Sequence, residues 1–142
     1  MQDSIGKSAE VGPEWDTLLN ASNDLIKAVE RAAGVTGTDF ANRFRKSQIE
    51  IGDDYPFLDP TLGGFEYVGS KVRLKEFPSA RIYVAGIAGC LGRIVDELAT
   101  ANHGERFRER VAVELALMVR MRPAVFAPFT TYLDRIAGTR VL

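Results

Sequence analysis

The chain predicts a mainly α-helical fold: a single-domain helical bundle of four principal helices plus a short C-terminal helix, with one small β-hairpin. Three observations lead there. Apolar residues recur at spacings of three and four through each long segment, helix start and stop signals bracket those segments, and only two short runs have the β-prone composition of strands. Of 142 residues, 46% are hydrophobic and 26% charged, the balance of an ordinary globular chain long enough to bury a core without metal or disulfide support.

Residues 1–12 are polar and aperiodic, so a frayed or disordered N-terminus is expected there, with residues 13–142 forming one helical domain. A first helix over 13–33 follows from Pro13 at its first position and from Glu14 and Asp16 at the positive end of its dipole. Trp15, Leu18, Leu19, Leu25, Ile26 and Val29 line one side, and Gly34 closes it. Trp15 is expected to anchor a core or an interface. A second helix over 38–54, capped by Thr36 or Thr38, carries Phe40, Phe44 and Ile51 on its apolar stripe and ends before Pro56. Its basic group Arg43, Arg45 and Lys46 is expected to be a solvated face.

Residues 55–64 hold two prolines and a glycine pair, which exclude regular structure. Tyr55, Phe57, Leu58 and Leu62 are nevertheless too apolar to leave in water, so the segment should be a loop that packs. Two runs within 65–74, split by Gly69-Ser70, then predict a tight hairpin with glycine first in its turn. A lone hairpin is marginal in water and must lie on the helices or pair with another copy.

The stretch 81–102 carries the strongest periodicity, with Val84, Ile87, Leu91, Ile94 and Leu98 spaced 3, 4, 3 and 4 apart. This predicts a helix over 79–103 whose Gly86, Gly89 and Gly92 form a small-residue flank beside the stripe. Three glycines each cost a helix about 1 kcal/mol relative to alanine, and close packing is the natural compensation. The same residues also read as a strand followed by a glycine-rich turn around a dinucleotide phosphate. That alternative departs from the G-x-G-x-x-G spacing and lacks a second strand ending in an acidic residue.

A fourth helix over 105–122 carries Phe107, Val111, Leu115 and Met118, broadened by Ala112, Ala116, Leu117 and Val119, so it is expected between layers or at a subunit contact. The short link from the third helix makes the two antiparallel neighbours. Pro123 must kink or end this helix, and Phe126, Phe129, Leu133 and Ile136 predict a closing helix over 124–137. Met118 and Met121 are read as core filler beside those phenylalanines.

For chemistry, the residue inventory points away from a reactive centre. Cys90, the single cysteine, permits no internal disulfide and lies on the apolar helix, while His103, the single histidine, fits a helix C-terminal cap. No nucleophile, base and oxyanion donor are set by spacing, so no catalytic residues, no metal site and no cofactor are assigned. Charge runs from −4 in residues 1–39 (3 basic, 7 acidic) through 0 in 40–103 to +3 in 104–142 (7 basic, 4 acidic), which suits internal or head-to-tail pairing better than nucleic acid. No apolar run approaches membrane length and no signal pattern opens the chain, so a cytoplasmic location with no membrane partner is expected.

The function that follows is a non-catalytic regulatory or protein-interaction module, a homodimeric signalling adaptor, with Gly86, Gly89, Gly92, Val111, Leu115 and Met118 as helix-packing or interface residues and a further protein partner possible. The first alternative is a small-ligand sensor with a pocket between hairpin, packed loop and third helix, where Tyr55, Tyr67, Arg81 and Tyr83 converge. The second is a nicotinamide-nucleotide-binding enzyme acting through Gly86–Gly92.

Overall fold

The computed structural model describes residues 13–34, 38–62, 64–69, 71–101 and 104–142. The expectations placed on the N-terminal 12 residues, on capping by Thr36, Thr38 and His103, and on Ser70 fall outside the residues and side chains described. Helix α1 spans Pro13–Ala33, α2 Thr38–Glu50, α3 Ala80–Ala101 and α4 Gly104–Met121, with strands β1 at Glu66–Val68 and β2 at Lys71–Arg73. Two short helices, α5 at Pro123–Phe126 and α6 at Leu133–Ala137, flank a 3-10 segment at Ala127–Tyr132. The fold is therefore mainly α with one small hairpin, as the periodicity predicts.

Helix α3 is the centre of the bundle. Its predicted stripe, Val84, Ile87, Leu91, Ile94 and Leu98, is buried, and so are Tyr83, Cys90 and Val95 around it. It packs against α1, α2, α4 and α6, while α4 also packs along α1. The buried side chains of all these elements form one continuous cluster that includes Leu25, Phe44, Phe65, Leu115 and Phe129. Val111 and Leu115 lie wholly inside it and Met118 packs half-buried against it. Ion pairs tie the helices at the surface: Arg31 to Glu114, Lys46 and Arg43 to Glu97, Arg93 to Glu50, and Arg108 to Asp96. The basic group on α2 is thus partly spent on α3.

The three glycines of α3 wind within one helix, which overturns the strand-and-turn reading of Gly86–Gly92 as a nucleotide cradle. Amides inside a helix are committed to carbonyls one turn back and cannot converge on a phosphate. Of the three, only Gly86 is required by close packing. A β-carbon at Gly86 would stand 2.7 Å from the Phe57 ring, whereas one at Gly89 would meet only ordinary contacts at 3.8 Å, and one at Gly92 would face the Arg135 carbonyl at 3.5 Å.

Helix α2 stops at Glu50, four residues short of expectation. Gly52 and the two aspartates after it favour a tighter turn, and Gly52 N donates to Ile49 O at 3.2 Å. The loop beyond is pinned from inside. Gln48, buried on α2, donates from Nε2 to Leu58 O at 2.7 Å and to Phe65 O at 2.9 Å. Asp59 accepts from Thr61 Oγ1 at 2.6 Å, Thr61 N at 2.8 Å and Leu62 N at 3.2 Å. Those bonds, the Thr61 hydroxyl foremost, hold its carboxyl below the usual carboxylate range. Phe57 and Leu58 pack as expected, but Leu62 is exposed, because the Asp59 turn carries it outward.

The hairpin pairs Glu66 with Arg73, Tyr67 with Val72 and Val68 with Lys71, and Gly69 turns it at φ +59°. It lies on the helices, with Tyr67 Oη donating to Glu30 of α1 at 2.8 Å. Pro123 ends α4 and opens α5 at its first position, and Arg122 takes φ −144° between them. The expected closing helix over 124–137 is broken, since Pro128 has no amide to donate and the chain passes through a 3-10 segment before α6. Phe126 and Phe129 are buried, yet Met121 is largely exposed and is not the core filler the composition suggests. Gly138 closes α6 at φ +70°.

Candidate functional site

The breaks at Pro123 and Pro128 border a hollow among the described residues. A continuous helix over 124–137 would lie flat along the bundle. Bent twice, the segment instead leaves a cleft of about 660 Å3 between itself, the first turns of α1 and the first turns of α3. Glu14, Trp15, Thr17 and Leu18 line it from α1, Ala80, Arg81 and Val84 from α3, and Ala124, Val125, Pro128, Thr131 and Tyr132 from the C-terminal segment. Its volume falls in the range of about 300–1,000 Å3 typical of small-molecule sites.

Each wall has a local cause. The N-terminus of α1 brings Trp15 inward at the spacing of Leu18, and the indole meets Phe77 edge-on at 4.9 Å and Tyr83 at 5.2 Å. Trp15 is thus a core anchor on one face and cleft wall on another. Ser79 starts α3, its Oγ accepting from Ile82 N at 3.2 Å, which sets Arg81 outward at the mouth.

The polar groups of the lining are largely uncommitted. The carboxylate of Glu14, the indole N–H of Trp15, the guanidinium of Arg81 and the hydroxyls of Thr131 and Tyr132 take no hydrogen bond or ion pair among the described residues. Glu14 and Arg81 are both exposed, and they do not pair with each other.

Of the four residues expected to form a pocket, only Arg81 faces this cleft. Tyr55, Tyr67 and Tyr83 do come together, through intervening phenylalanines rather than around a hollow. Tyr55 meets Phe57, Phe57 meets Tyr83 and Phe65, and Phe65 meets Phe44, which packs on Tyr67. Tyr83 is fully buried, with its hydroxyl 2.6 Å from Ser22 Oγ. Ser22 spends its one proton on Leu19 O at 2.9 Å, so the tyrosine is the donor. Burial drives the Tyr83 hydroxyl well above its ordinary value, and burial likewise pushes the Cys90 thiol up to about 12. Both are protonated structural groups at neutral pH, and neither is primed as a nucleophile.

Among the described residues, no group of three His, Cys, Asp or Glu side chains could hold a metal ion, and no helix is long and apolar enough to cross a membrane. No protein-family model matches the chain, and neither a curated protein nor a solved structure matches it.

Proposed function

We propose that this protein is a non-catalytic sensor module whose ligand occupies the cleft between α1, α3 and the C-terminal segment. The observation that carries the reading is the cleft itself: an apolar hollow of ligand size with unspent hydrogen-bonding groups on its walls. Its third wall is a short, twice-broken segment rooted in the core by Phe126 and Phe129, and a ligand bridging Trp15 and Val125 would fasten its outer side to the bundle as well. This supplies a route from occupancy to a signal.

The test is an amide-shift titration of the whole chain with indole, phenol, benzoate and cyclohexylamine. Shifts clustered on Leu18, Val84, Val125 and Tyr132 support the reading. Shifts confined to the outer face of α4, or none at millimolar probe, overturn it.

A second reading, the homodimeric or partner-binding adaptor, draws on a different observation. Along α4, Val113, Leu117 and Met121 follow one another at four-residue steps and are 57%, 54% and 81% exposed. They form an apolar stripe bordered by the exposed Arg106, Arg110 and Arg120. Val111, Leu115 and Met118, expected as helix-packing or interface residues, pack toward the core on the other side of this helix. A dimeric mass by light scattering that Leu117→Glu reduces to a monomer would support it, and a monomeric wild-type chain at 100 µM (roughly the upper range for a weak specific dimer) would remove the dimer.

A further inference from the structure

We infer that the cleft selects a zwitterion, a short apolar peptide with both termini free, whose ammonium group meets Glu14 and whose carboxylate meets Arg81. The inference rests on the reading of the cleft as a ligand site and adds the chemistry of the ligand. Two opposite charges line one hollow, and neither has an ion-pair partner among the described residues.

The position of Arg81 also runs against local electrostatics. It stands in the first turn of α3, where the helix dipole disfavours a cation by about 0.3–1 kcal/mol. A guanidinium kept there with no partner has no stabilising role of its own, whereas a bound carboxylate would gain both its charge and the dipole behind it. A lone anion would bring its charge into a cleft that also holds Glu14, and a lone amine would meet Arg81 in the same way. A zwitterion meets both groups with an opposite charge at each end.

Size and lining narrow the class further. A single amino acid would leave most of about 660 Å3 unfilled, while an apolar di- or tripeptide occupies it. Its side chains would lie on Trp15, Val84 and Val125, and its amide groups are matched by the unpartnered indole N–H of Trp15 and hydroxyl of Tyr132.

The experiment is a calorimetric titration of the full chain with phenylalanyl-leucine, its N-acetyl form, its C-terminal amide and the doubly capped peptide. The free dipeptide should bind best. Acetylation should weaken binding roughly three- to tenfold in the wild type but not in Glu14→Gln, and amidation likewise but not in Arg81→Gln, the size of one ion pair at a wet rim. Both substituted positions are exposed, so folding is preserved. Capped forms that bind as well as the free dipeptide would overturn the zwitterion while leaving the cleft a ligand site. Silence from all four peptides together with indole would remove the site itself.

Discussion

Gly86 lies directly under the ring of Phe57, whose Cε1 and Cζ atoms stand 2.7 Å from the point a β-carbon would occupy. The loop ring and the central helix therefore meet at a distance only glycine permits. Gly86→Ala should destabilise the protein by about 1–3 kcal/mol, because the displaced ring belongs to a packed aromatic cluster. Gly89→Ala meets only ordinary contacts and should stabilise by up to about 1 kcal/mol through helix propensity. Urea unfolding of the two variants decides the matter, and equal effects would mean that Phe57 does not hold this place.

Ser22 and Tyr83 offer an asymmetric pair. Tyr83→Phe removes one hydroxyl and leaves Ser22 bonded to Leu19, so its cost should be about 1 kcal/mol. Ser22→Ala strands the tyrosine hydroxyl in the core and should cost more, about 1–3 kcal/mol. In the double variant much of that excess should return. A thermal unfolding cycle across the four proteins reads the coupling.

Gln48 joins helix α2 to both ends of the packed loop. Gln48→Ala orphans the carbonyls of Leu58 and Phe65 and should cost roughly 2 kcal/mol or more. Amide exchange would show whether the loss falls on residues 56–68 first, as this placement requires.

Alkaline pH should unfold the protein through Cys90 and Tyr83. Each keeps its proton when folded at pH values where the unfolded chain has lost it, so their folded values lie above the ordinary 9.0 and 10.0. The unfolded state then binds fewer protons, and stability falls as pH rises. The contribution of Cys90 is complete below about pH 9 and declines toward about 12, at up to about 1.4 kcal/mol per pH unit. The stability gap between wild type and Cys90→Ala should therefore narrow across that window and stay constant below it.

The element order was legible because periodicity survives any detail of packing. The stripe from Val84 to Leu98 named the central helix in spite of three glycines, and Gly69 named the hairpin. What failed to read through was where a greasy residue finds company. Leu62 and Met121 have the composition of core residues, yet a three-bond turn at Asp59 carries the first outward and the outer face of α4, shared with Val113 and Leu117, holds the second in solvent. Tyr55, Tyr67 and Tyr83 do gather as their types suggested, but phenylalanines fill the space among them. The cleft joins residues 14–18, 80–84 and 124–132, which no local pattern links. Its traces in the sequence were Trp15 at a helix start, Arg81 at another, and two prolines five positions apart.

Those prolines divide the molecule by resilience. Helix α3 is clasped on several sides, so exposing its amides to deuterium requires most of the structure to come apart. The stretch from Pro123 to Tyr132 is rooted in the core by Phe126 and Phe129, but its short-range 3-10 bonding is weaker than that of an α-helix, so its amides open locally at smaller cost than those of α3. Exchange should accordingly be slowest around Leu91 to Val95 and faster between Pro123 and Tyr132, and a bound guest would be registered as slowed exchange in that C-terminal stretch.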